Sequence, residues 1–269
     1  MSNPDDLFSV EPTDDPMRYR AAVTEPMLIG PNDKPFAIGG VRLAVAVDAL
    51  ERAAQRPLVW VTGQFVSYAN VGDLMEFVVD LAVEGRRATQ ASVRGYVGDR
   101  LFLQGLAALG NTPSEPTIQL ATAPVVPPPA DCPLEPHQDR DHGRFHSLYE
   151  RRRIPVNVPN GGAGDEAPGI ERTLTWRRFH GTPPVTSALL TVIADLLPGE
   201  MRVALGRDKQ SRSLENTVRI VQLEPTEWFL CEAHTLGLVD GFFHQTMRIY
   251  SEAGTLLAYT SQSGPITLL

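Results

Sequence analysis

The chain has 269 residues, enough for one large core or two small ones, a net charge of −8 and two cysteines. The acidic balance, with a pI near 5.3, excludes a general nucleic-acid binder, which carries a basic face. Cys132 in a proline-rich stretch and Cys231 in an apolar run form no CxxC pair or disulfide framework, and no apolar run approaches the ~20 residues of a membrane span.

The opening residues, MSNPDDLFSVEPTDDP, are acidic and polar, the reverse of a targeting peptide. A flexible start over 1–20 and a cytoplasmic protein are expected. From Gly39, GGVRLAVAVDALERAA places Leu43, Val47 and Leu50 at helical spacing with alanines between, the pattern of a helix wrapped on several sides. Strands are expected at about 57–69, 73–84, 86–97 and 99–109, separated by the breakers Asn70–Asp73, Glu84-Gly85 and Gly98-Asp99. A helix followed by a meander implies an antiparallel sheet folded around that helix. Residues 111–142 are dense in proline and read as an extended linker.

Beyond the linker the pattern repeats. Strands are expected near 145–154 and 172–180 around a Gly-rich loop at 158–169. A second helix over 185–197 carries Ala188, Leu189, Val192, Ile193 and Leu196 and stops at Pro198-Gly199. Four more strands fall at about 213–224, 227–239, 242–251 and 255–262. RGYVGDRLFLQGLAALG at 94–110 sits opposite RIYSEAGTLLAYTSQSG at 248–264. A period of roughly 150 residues is too long for a solenoid repeat, so the chain divides into duplicated domains over 21–110 and 143–269.

The Gly-Gly-opened helix, the proline-rich middle and the run from SLENTVRI through EWFLCEAHT to TSQSG resemble the acyl-CoA thioesterase II family over roughly residues 20–266. The resemblance implies an α+β double-hotdog fold, two tandem domains each wrapping a curved antiparallel sheet around one long helix. It also implies a homo-oligomer that hydrolyses an acyl-CoA thioester to free acid and CoA, with no metal or redox cofactor. In that family an Asp, a Thr or Ser and a Gln hold and polarise the attacking water. Carried over, the Gln is Gln262, the Thr is Thr235, and the Asp is Glu215, one methylene longer and followed by Asn216 where the family has His.

The chemistry fits these residue types. A carboxylate takes a proton from water, Thr and Gln fix its position, and N–H groups at a helix N-terminus hold a developing oxyanion. Gly39 and Gly40 open such a helix and allow close backbone approach, and His234 beside Thr235 is a candidate substrate contact. Arg207, Lys209 and Arg212, just before Glu215, are candidates for the CoA phosphates. The segment HQDRDHGRFH gathers His137, Asp139, Asp141, His142 and His146 without the spacing of a metal site and reads as a solvated irregular stretch. No P-loop, GxGxxG or GxSxG sequence is present. Two rival readings stand: a non-catalytic acyl-CoA-binding protein, and a hotdog enoyl-CoA hydratase or dehydratase. The second needs an Asp–His pair that neither helix offers.

Overall fold

Strand alternation resolves into one continuous antiparallel sheet in the computed structural model, which describes residues 7–136, 143–155, 171–205 and 209–268. The N-terminal half contributes β1 (Arg18–Ala22), α1 (Gly39–Ala54), β2 (Leu58–Phe65), β3 (Leu74–Glu84), β4 (Ala88–Val97) and β5 (Arg100–Gly110). The C-terminal half contributes β6 (Tyr149–Arg153), β7 (Arg172–Phe179), α2 (Ser187–Ala194), α3 (Met201–Leu205), β8 (Glu215–Ile220), β9 (Phe229–Val239), β10 (Phe242–Ser251) and β11 (Leu256–Leu268). Leaving short edge pieces aside, the order across the sheet is β1-β3-β4-β5-β2-β8-β11-β10-β9-β7-β6.

That order repeats on either side of the β2–β8 seam, where Val61 lies opposite Val218 and the Thr62 and Thr217 hydroxyls meet at 2.8 Å. The duplication in sequence is therefore a pseudo-twofold in space. Both helices lie on the inner face and pack on each other. α1 buries Val41, Leu43 to Val47, Ala49 and Leu50, and every residue of α2 is buried. This is why both helices are apolar nearly all round. Gly63 lets α1 settle onto β2, since a Cβ there would lie 2.5 Å from the Leu43 side chain. Thr186 caps α2 by accepting from the Leu189 N–H at 3.1 Å, a contact worth about 1 kcal/mol.

Two expectations need correction. Part of the expected flexible start is tied down: Leu7, Phe8 and Val10 are buried, the Val10 N–H donates to Asp48 at 2.8 Å, and Glu11–Pro12 pairs with Tyr19 and Arg20. The second helix is also shorter than its apolar run. It ends at Ala194, with Asp195 as its C-cap and a 3-10 turn over Leu197–Gly199, because Pro198 cannot continue the ladder.

The proline-rich segment lies along the outer face, where Ala123, Val126 and Cys132 cover Trp176, Trp228, Leu230 and Tyr250, and Trp176 Nε1 donates to the Pro127 carbonyl at 3.0 Å. Both cysteines are free and buried, and burial pushes the Cys231 thiol up to about 11. Among the described residues no helix is long and apolar enough to cross a membrane. The loop at 158–169, and residues 137–142 with His137, Asp139, Asp141 and His142, lie outside the described residues.

Candidate active site

Strand parity decides which polar side chains meet. In β8, Asn216 and Val218 point inward while Glu215, Thr217 and Arg219 point outward. Directly opposed residues on neighbouring strands share a face, and the register runs Asn216–Gln262–Gln245–Thr235 across β8, β11, β10 and β9. Asn216, Gln262 and Gln245 are all 1 % exposed or less. Thr235 and Gln262 thus share the inner face, and Gln245 links them in the row, its Nε2 donating to Thr235 Oγ1 at 3.0 Å.

Glu215 does not join them. It lies on the outer face opposite Ser263 and Gln64, and its carboxylate accepts from the Thr217 hydroxyl at 3.3 Å. Burial pushes its pKa up, opposed by hydrogen bonds from Thr217 and Ser263. The expected convergence of Glu215, Thr235 and Gln262 fails by one residue of register, and Asn216 stands in the row instead.

The carboxylate beside Gln262 comes from α2. Asp195 is buried, with Oδ1 accepting from Gln262 Nε2 and Oδ2 accepting from the Gly40 N–H, each at 2.5 Å. The positive end of the α1 dipole faces the acid, whereas the end of α2 that carries it is negative. Burial raises Asp195 to about 6, while Gly40, Gln262 and the Arg42 charge pull it back. The double glycine has a steric reason here. A Cβ on Gly40 would lie 2.6 Å from Asp195 Cβ, and one on Gly39 would lie 2.9 Å from the Phe65 ring and 3.0 Å from Asp195 Oδ2. Arg42 is buried near the rings of Phe65 and Phe102, its Cζ 5.2 and 6.0 Å from their centroids, and donates to the Ser67 carbonyl. Burial lowers it to about 10, so it stays protonated at neutral pH.

A second buried network holds the turn that carries Asp195. Arg177 pairs with Glu200 and donates to the carbonyls of Ile193 and Leu196, on either side of Asp195, at 3.5 and 3.4 Å. Arg151 reaches the other Glu200 oxygen at 2.9 Å. Burial alone would raise Glu200, but Arg151 and Arg177 hold it below the usual carboxylate range.

The remaining candidates lie elsewhere. His234, one residue from Thr235, points to the other face, with Nε2 3.6 Å from Glu232 and Nδ1 3.5 Å from Glu171. Arg212 is exposed, and its backbone N–H donates to Pro265 at 3.2 Å. Lys209 begins a short strand, Lys209–Ser211, paired to β11; Arg207 lies outside the described residues. His146 Nδ1 sits 3.2 Å from the Tyr149 hydroxyl, and among the described residues no three potential metal ligands cluster.

Sequence reasoning missed Asp195, although the repeat carries a signal for it. VAVDAL at 45–50 aligns with VIADLL at 192–197, pairing Asp48 with Asp195, and AALG at 107–110 aligns with SQSG at 261–264, pairing Ala108 with Gln262. Asp48 is held by Arg52 at 2.9 Å and by Val10, and where the C-terminal half has Gln262 its counterpart has alanine. The Asp–Gln pairing therefore exists once.

The family model described as acyl-CoA thioesterase C-terminal domain matches residues 129–266. A candidate thioesterase from Novosphingobium aromaticivorans DSM 12444 is 30 % identical, with a TM-score of 0.83 over 94 % of this chain and 96 % of that one. A hot dog fold protein of unknown function from Alicyclobacillus acidocaldarius is 21 % identical, with a TM-score of 0.78 over 98 % and 97 %. An acyl-CoA thioesterase II, TesB2, from Mycobacterium marinum is 16 % identical, with a TM-score of 0.76 over 98 % of each chain. The last two likenesses concern the fold alone. No curated protein sequence matches the chain.

Proposed function

The chain belongs to the acyl-CoA thioesterase family, and from that premise we propose that it hydrolyses acyl-CoA thioesters with Asp195 as the general base. The observation that carries this reading is the buried Asp195 carboxylate held between the Gly40 N–H and the Gln262 amide. With its pKa raised to about 6, Asp195 is ionised at neutral pH yet basic enough to take a proton from water. The hydroxide equivalent attacks the thioester carbonyl, the C–S bond breaks, and the proton passes from Asp195 to the departing CoA sulfur. Free acid and CoA result, with water the only co-reactant.

The two donors serve both stages. While Asp195 is anionic, Gly40 and Gln262 orient it. Once it is protonated, its demand on them falls, and they are free to donate to the oxyanion at the positive end of α1. Thr235 and Asn216 extend the polar row on which the substrate carbonyl and water are oriented. Glu215, on the outer face, takes no part. A hydratase reading lacks a partner: the described contacts of Asp195 are Gly40, Gln262 and Arg42, with no histidine among them.

Free-thiol release from a panel of acyl-CoAs tests the proposal. Turnover by the wild type, lost in Asp195→Asn, supports it. Tight acyl-CoA binding with no thiol released by the wild type refutes it in favour of a binding protein.

A further inference from the structure

We propose that the polar row beyond Gln262 receives a hydroxyl carried by the acyl group, and that Gln245 is the residue that reads it; this rests on the thioesterase reading above. Among the described residues, three buried side-chain amide atoms have no hydrogen-bond partner: Asn216 Nδ2, Gln262 Oε1 and Gln245 Oε1. Each belongs to an amide whose other end is engaged. Asn216 Oδ1 accepts from the Thr260 hydroxyl at 2.6 Å, Gln262 Nε2 donates to Asp195, and Gln245 Nε2 donates to Thr235. The three side chains sit on consecutive strands of one face, with Gln262, the neighbour of the proposed base, in the middle.

An unsubstituted aliphatic chain laid over this row would leave one donor and two acceptors buried and unpaired, which weakens binding. With the amides as they stand, a keto or carboxylate substituent brings acceptors only and satisfies at most the Asn216 donor. An ammonium brings donors only, and would sit in a site where the buried Arg42 charge already acts on Asp195. A hydroxyl donates and accepts, so it fits the mixed set whichever way each amide is turned. Gln245 lies one strand from Gln262, a step of about 4.8 Å, which places the hydroxyl two or three carbons beyond the reacting carbonyl.

The test compares kcat/KM for thiol release from 3-hydroxyacyl-, 4-hydroxyacyl- and unsubstituted acyl-CoAs of equal length, with wild type and Gln245→Met. The expected result is a wild-type preference of roughly tenfold or more for one hydroxyacyl substrate, falling to near unity in Gln245→Met, whose side chain matches Gln in length without its polar end. A wild-type ratio at or below one overturns the proposal whether or not the variant folds. A ratio that survives the substitution also overturns it, and a fall shared equally by all substrates means the row holds only water. Absence of thiol release from every thioester overturns the hydrolase reading and this proposal with it.

Discussion

Replacing Asp195 with asparagine should stabilise the protein at neutral pH and not at acid pH. Folding raises this carboxyl from an ordinary 3.8 to about 6, chiefly because burial penalises the charge. The folded state therefore holds the proton more tightly than the unfolded state. The stability from that proton is complete below pH 3.8 and is lost as pH rises through 6. At 1.36 kcal/mol per pKa unit, the ionised acid costs the folded protein on the order of 3 kcal/mol at pH 8 and under about 1 kcal/mol at pH 4. Asparagine is neutral and keeps the geometry: its oxygen accepts from the Gly40 N–H, and a turned Gln262 amide accepts from its nitrogen. Urea unfolding of both proteins at pH 4 and pH 8 gives the difference directly. The variant should gain roughly 2–3 kcal/mol on the wild type between the two pH values, over any constant offset from the exchange itself. A stability difference that does not change with pH would refute the reasoning, because Asp195 would then ionise as an exposed acid does.

The same carboxyl sets the rate profile: kcat/KM for thiol release should rise about tenfold per pH unit below 6 and level off above it, followed by discontinuous CoA assay. In Gln262→Leu the midpoint should move upward, because the lost donor favoured the anion. Gly40→Ala should lower kcat/KM at least tenfold with no gain in melting temperature, although Ala is the better helix former by roughly 0.5–1 kcal/mol, because its Cβ would displace Asp195. Glu200→Gln should cost about 3–5 kcal/mol in urea unfolding, since it removes the charge that pairs with buried Arg177 and largely buried Arg151.

Much of the fold was legible because its periods are simple. The strands 74–84, 88–97, 100–110, 229–239 and 242–251 fall within a residue or two of the alternation, and the repeat of RGYVGDRLFLQGLAALG foretold the matched halves. Gln262 and Gly40 were also legible, as positions in a motif and at a helix start. Glu215 was not placed correctly, although alternation held the answer. In ENTVRI, Val218 must face the core, and Asn216 shares its parity while Glu215 does not. By the same argument His234 falls on the outer face, since Thr235 takes the inner one. Asp195 was hidden by its surroundings, because a single acid in ALLTVIADLLPG reads as the tail of an apolar helix. Its meaning depends on α1 arriving from about 155 residues away, a contact that no local pattern encodes. The packed residues 7–10 were missed for a related reason: their partner is Asp48, in a helix some 38 residues on.

Thiol release by wild type, Asp195→Asn and Glu215→Gln, measured side by side on one acyl-CoA, would decide where the catalytic carboxylate lies. If Asp195 is the base, its variant should lose at least about a hundredfold in kcat while Glu215→Gln stays within about threefold of wild type. Loss in Glu215→Gln with activity intact in Asp195→Asn would contradict the assignment and return the carboxylate to β8.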